Sequence, residues 1–346
     1  MLKNQKLGGT IMRRSISFIL ALILCLTLVA CGSNGSDSGA ADPDDSSTAE
    51  NSSTGGDKKT ITIALLPKTL SNPYFVAMQE FAEAAAKELS TDEITVEIVT
   101  SAPPTEDGVN EQITMFESYL EKGVDGILIV PCGTAEIVQS IEKANEKDVP
   151  VICLDTNADE GAEVAAFIGT NNYDGGFLAG EWTSGNVDGQ VAVITGTLGN
   201  QCHTDRTNGY LDGIEDASNI ELVGDVQPCN GDQGTAMSIA ENLLAAYPDL
   251  QCIYVTSDTG ALGAATAVKA AERDVKVIGF DGSPNGAQSI IDGGITTTVA
   301  QTPGVMAQEG VKALFELLVN DTKPEDQYTP CSMVTSDNAS EYLEWH

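Results

Sequence analysis

Basic residues are scarce in this chain: 17 Lys and Arg stand against 51 Asp and Glu. Proteins that bind nucleic acid neutralise its phosphates with a basic stripe. None can be drawn here, so nucleic acid is excluded as a partner. Histidine is scarcer still, with two in 346 residues, and none of the eight cysteines falls in a C-x-x-C pair. That spacing argues against a zinc site and leaves no metal or other cofactor to expect. After residue 30 no apolar run is long enough to cross a bilayer.

The one long apolar run stands at the start. Arg13 and Arg14 precede Ile16 to Ala30, interrupted only by Ser17 and Thr27. At about fifteen residues the run falls short of the roughly 20 that span a membrane and has the length of a signal-peptide core. Ala30 and Gly32 flank Cys31, with Leu28 two places before Ala30. The stretch resembles the lipobox of bacterial lipoproteins, which implies cleavage before Cys31 and a lipid on it. Residues 31–57 hold almost only Gly, Ser, Thr, Asn, Ala, Asp and Glu. They cannot bury enough apolar area to offset the entropy of ordering, so a flexible acidic tether is expected. Residues 1–30 contain four basic residues and no acid; without them 13 basic face 51 acidic residues, a net charge of −38. Such a charge suits an extracytoplasmic protein that meets neutral or cationic small molecules. Met12 reads as the natural start, because Gly8-Gly9 just ahead of it can be encoded by a ribosome-binding sequence.

Beyond Lys58, short β-branched runs alternate with longer amphipathic segments. The runs are TITIALLP, ITVEIVTSAP, VDGILIVP, VPVICLD and AAFIGT, then GQVAVITG, IELVGDVQP, LQCIYVTSD, VKVIGFDG and ITTTVAQTP. Among the segments between them, NPYFVAMQEFAEAAAKEL puts Phe75, Met78, Ala82 and Ala86 on one helical face. The alternation predicts an α/β fold of parallel sheets covered on both sides. Ten strands divide into two sets of five, hence two doubly wound lobes. Ligands bind such sheets beyond the carboxyl ends of the strands. Residues 68–75, 131–134, 155–157, 170–172, 197–206, 257–258, 281–285 and Gln301 are therefore the ones to inspect. They are mostly short polar side chains with two aromatics and one arginine, a hydrogen-bonding set for a polyhydroxylated ligand.

At these positions the chain resembles the ribose-type periplasmic sugar-binding proteins of ABC transporters. The stretches TLSNPYFVAMQEFA, IGTNNYDGGFLAGEW, VIGFDGSPNGAQSIIDG and TVAQTP carry the likeness, which covers most of residues 60–320. It implies the type I periplasmic binding fold, two lobes joined by a three-crossing hinge, with residues 58–170 plus 302–331 in the first and 171–301 plus 332–346 in the second. It also implies a monosaccharide held by Asn72, Tyr74, Phe75 and Asp155 on one wall, by Arg206, Ser257 and Asp281 on the other, and by Gln301 at the hinge. The partners implied are that sugar, an ABC permease and, through Cys31, the outer face of the cell membrane, with the protein a monomer and not an enzyme. The alternative is a sugar-sensing lipoprotein that signals to a membrane receptor or histidine kinase. Thr156, Gly231 and Ser257 depart from the ribose pattern, where an arginine, an aromatic and an asparagine stand, so ribose itself is not implied.

Blander readings stand beside these. Asp258 reads as the N-cap of the helix that follows it. Arg206, in a polar stretch taken as a loop, could make a surface salt bridge. CHTDR, residues 202–206, offers a cysteine beside a histidine, but sequence neighbours rarely face one atom and no oxyanion motif accompanies them. Cys153 and Cys252 lie in apolar runs and read as buried thiols, whereas Cys202 and Cys229 are the pair expected to form a disulfide.

Overall fold

The computed structural model describes residues 58–345. The expected signal peptide, Met12, Cys31 and the expected tether lie outside the described residues. The first sheet is six-stranded and parallel, ordered β12-β5-β4-β3-β1-β2. Its strands are β1 (Lys59–Leu66), β2 (Ile94–Thr100), β3 (Gly126–Ile129), β4 (Val151–Leu154), β5 (Ala166–Thr170) and β12 (Gln327–Thr329). Strands β3, β4 and β5 are buried along their whole length, as expected of β-branched runs sandwiched between helices. Helices α1 (Pro73–Leu89) and α9 (Pro303–Asn320) cover one face through Phe75, Met78, Met306 and Leu314. The other face carries α2 (Val109–Lys122) and α3 (Val138–Asn145), packed through Phe116 and Ile141.

The second sheet follows the order β13-β11-β10-β9-β6-β7, with β8 also paired to β6. Its strands are β6 (Gly189–Thr195), β7 (Ile220–Leu222), β8 (Gln227–Pro228), β9 (Leu250–Val255), β10 (Lys276–Asp281), β11 (Thr297–Ala300) and the antiparallel β13 (Ser332–Val334). Helices α4 (Asn172–Asn186) and α5 (Gln201–Glu215) lie on one face, and α6 (Gln233–Ala246), α7 (Asp258–Ala270) and α8 (Pro284–Ile291) on the other. The chain passes between the lobes three times: from β5 to α4, from β11 to α9, and from β12 to β13.

Several expectations are corrected. IELVGDVQP forms two short strands, β7 and β8, because Gly224 turns left-handed at φ 72° between them. The edge strands β12 and β13 have three residues each, too few to show an alternation. CHTDR is helical, in the first turns of α5. The N-cap of α7 is Ser257, whose Oγ accepts from Gly260 N, and Asp258 is instead the first helical residue. Cys202 and Cys229 are free and buried, so the expected disulfide is absent; Cys202 Sγ donates to Asn200 Oδ1 at 3.0 Å, and Cys229 packs in the core beneath α6 and α7. Cys153 and Cys252 are buried free thiols.

Candidate functional site

The carboxyl ends of the two sheets face each other, and buried charges meet between them. On the first lobe, β1 runs into Lys68 and then into α1, whose N-cap Asn72 accepts from Tyr74 N at 3.0 Å, with Pro73 supplying the fixed φ of a first helical residue. Asp155 follows β4 in the left-handed region at φ 59°. Its Oδ1 accepts from Tyr74 Oη at 3.0 Å and its Oδ2 from Thr156 Oγ1 at 3.0 Å. Backbone in that region costs free energy and recurs at binding sites, where surrounding structure holds it.

The second lobe contributes Arg206 from α5. Its Nε donates to Asn172 Oδ1 at 2.8 Å, its Nη1 donates to the Thr256 carbonyl at 2.9 Å, and the guanidinium lies 3.9 Å from the centre of the Phe280 ring. So held, it reaches both lobes: Nη2 is 3.6 Å from Asp155 Oδ1 and Nη1 is 3.6 Å from Asp281 Oδ1. Lys68 Nζ stands 3.6 Å from Asp155 Oδ2 and donates across the cleft to Cys202 Sγ at 3.3 Å. Asp281, at φ 131°, accepts from Gln301 Nε2 at 2.8 Å and from Asp258 N at 3.2 Å. Gln301 Oε1 is buried with no hydrogen-bond partner among the described residues.

The two aspartates facing Arg206 differ in acidity. Burial pushes Asp155 up, but Lys68 and Arg206, helped by Tyr74 and Thr156, hold it below the usual carboxylate range. Burial raises Asp281 well above that range; Arg206 opposes this, and the neighbouring Asp258 adds to it. Asp258, buried and bonded to Thr298 and Ser283, is raised to about 6. Lys68 and Arg206 are kept charged in spite of burial by the acidic groups around them. His203 is pulled down to about 3 by burial, then by Lys68 and Arg206, so its imidazole is neutral; its Nδ1 lies 3.0 Å from Thr256 Oγ1.

Of the expected site residues, Asn72, Tyr74, Phe75, Asp155, Arg206, Ser257 and Asp281 line one cavity, and Gln301 stands behind Asp281. Arg206 is buried in this cluster, which corrects its reading as a surface salt bridge. The free space is about 20 Å3, room for roughly one water molecule, so the lobes are closed on their own charges. Lys68, Glu106, Cys202 and His203 share the lining. Lys68 was discoverable from its place just past β1. Glu106, on the loop after β2, has no marker in the sequence; it accepts from Asn72 Nδ2 at 2.9 Å. It also accounts for Gly231, where φ is 70° and a Cβ would lie 2.4 Å from the Glu106 carboxyl carbon. The carboxylate lies against a position that could not carry the aromatic ring of the ribose pattern without displacing it.

A periplasmic binding protein domain model matches residues 63–322. The ribose import binding protein of Bacillus subtilis (strain 168) is 30% identical over 309 residues, 89% of this chain and 94% of that protein. The D-allose-binding periplasmic protein of Escherichia coli (strain K12) is 32% identical over 289 residues, 79% of this chain and 91% of its own. Among solved structures, an ABC transporter solute-binding protein from Actinobacillus succinogenes 130z with bound D-allose is 27% identical, with a TM-score of 0.75, covering 82% of this chain and 100% of its own. One from Bacillus halodurans C-125 with bound myo-inositol is 26% identical, also with a TM-score of 0.75, over 83% of this chain and 99% of its own. With two doubly wound lobes, three crossings and a buried polar cleft already in place, these matches show that the chain belongs to the periplasmic binding protein domain family, in its ribose-type branch.

Proposed function

We propose that this chain is the extracytoplasmic sugar-binding component of an ABC importer, not an enzyme, and that it takes a monosaccharide between its lobes. The observation that carries this reading is the convergence of Asp155 and Asp281, one from each lobe, on Arg206. At 3.6 Å each, these pairs are too long for direct hydrogen bonds. Sugar hydroxyls inserted between them can donate to the carboxylates and accept from the guanidinium, replacing each long contact by two good ones. Tyr74 and Phe75 then cover the C–H face of the sugar, Asn72 and Ser257 flank it, and Gln301 holds Asp281 in place. Residues 58–170 with 302–331 form one wall and hinge arm, and 171–301 with 332–346 the other. Because the closed cleft lacks the volume for a sugar, capture requires the lobes to part and reclose around it, and that closure is what a permease reads.

Calorimetry with D-ribose, D-allose and myo-inositol tests the site. One or more should bind, and Arg206→Ala and Asp281→Ala should each weaken binding by tenfold or more, since an orphaned buried charge costs more than about 1 to 3 kcal/mol. Both variants binding within about threefold of wild type would place the ligand elsewhere. The lipid anchor belongs to the same proposal and rests on Leu28-Val29-Ala30-Cys31 at the end of the apolar run. Cys31→Ala should abolish fatty-acid labelling of the expressed protein; a variant that still labels rules the anchor out.

A further inference from the structure

The described chain ends by stepping from one lobe to the other. The short turn Ala339–Tyr342 packs on α8 of the second lobe, with Ala339 fully buried in that lobe's core and Tyr342 Oη 3.0 Å from Ser332 Oγ. Asn338 secures the approach: its Oδ1 accepts from Thr335 N at 2.8 Å and its Nδ2 donates to the Met333 carbonyl at 3.1 Å. Three positions after Tyr342, Trp345 is half-buried against the first lobe. Its ring meets Tyr74 edge-on, with centroids 5.6 Å apart and 80° between the planes, and it joins the apolar cluster of α1 and α9. Trp345 also walls a second cavity, about 140 Å3, that shares Asn72 and Asp281 with the inner one.

Chain geometry turns this into a constraint. Three residues span at most roughly 10 Å, so a segment fixed to the second lobe at Tyr342 cannot keep Trp345 on Tyr74 once the lobes swing apart beyond its slack. The contact belongs to the closed form, and a contact made in one of two states shifts the equilibrium toward that state. Tyr74 in turn donates to Asp155, so the latch and the binding wall are joined through one ring.

The geometry points to Trp345 as a closure latch, a positioning residue that acts through Tyr74 to hold the lobes shut over the cavity, with or without ligand, and to slow the release of what is inside. The inference rests on the sugar-binding reading for its second test and is independent of it for its first. In the first test, solution scattering without sugar should show Trp345→Ala more expanded than wild type, with Trp345→Phe, which keeps a ring on Tyr74, close to wild type. The Phe variant, together with circular dichroism, separates unlatching from misfolding. In the second, the sugar that binds wild type should leave Trp345→Ala about five- to tenfold faster in stopped flow, the size of one lost aromatic pair and its burial. The chain holds two tryptophans, so in Trp182→Phe the emission of Trp345 reports closure directly. Equal sugar-free dimensions in wild type and Trp345→Ala overturn the latch whether or not any sugar binds, and so do equal release rates. Different dimensions with no sugar bound by wild type leave the latch standing and remove the sugar reading.

Discussion

His203 lies with its ring against Gly196, where a Cβ would come within 2.3 Å of it, and its Nδ1 lies 3.0 Å from Thr256 Oγ1. Its value is about 3 in the folded protein, against about 6.5 when unfolded, so the unfolded chain takes up the proton first. The stability tied to the neutral ring is therefore complete above pH 6.5 and is lost as pH falls toward about 3, at about 1.4 kcal/mol per pH unit. Asp258 acts in the opposite sense, because its raised value makes ionisation costly as pH rises through about 6. The measurement is thus a difference: denaturant unfolding of wild type and His203→Gln at pH 7.5 and 5, with the variant expected to lose about 2 kcal/mol less. Equal losses would mean that His203 is charged or solvated in the folded state. Asp281 and Arg206 were legible in the sequence because each belongs to a stretch at a strand end. The burial of Lys68, Glu106 and His203 was not, since it depends on the lobes meeting across sequence separations such as the 134 residues between Lys68 and Cys202.

Between residue and lobe, the pairing of α4 with α5 sets where Arg206 stands. Gly176 and Gly180 on α4 face Gly209 and Gly213 on α5, and a Cβ at Gly176 would lie 2.2 Å from the Arg206 carbonyl oxygen. At Gly209 it would lie 2.1 Å from the Tyr173 carbonyl oxygen. Backbone meets backbone here, so no side chain can yield. Gly209→Ala should lower stability by at least about 1 to 3 kcal/mol, the usual cost of overpacking. Gly185→Ala, on the same α4 with open space around it, should be neutral or stabilising by up to about 1 kcal/mol through helix propensity. Equal unfolding midpoints for the two variants would show that the helices separate at little cost. The same pairing explains why α5 was missed in the sequence. QCHTDRTNGYLDG has no clean apolar stripe, because its contact face is made of glycine and backbone. The β-branched strands and α1 have side-chain stripes and could be read directly.

At the scale of the molecule, the two-lobe division followed from counting strands, because ten runs exceed one ordinary sheet. The devices that tie the lobes together were less visible. Strands β12 and β13 are three residues each, and Trp345 carries no pattern around it; their meaning comes from what they reach. Those crossings also bear on the order in which the molecule is built. Up to residue 302 neither sheet is finished: α9 and β12 complete the first, and β13 completes the second. A ribosome releasing the chain in sequence emits two half-built lobes whose β5 and β11 edges are bare hydrogen-bonding templates, the kind of edge that invites mispairing. The layout works as a delay on the completion of both lobes. The segment 303–334 acts as a closing stitch: until it has emerged, each sheet lacks its last strand and the first lobe lacks one of its covering helices.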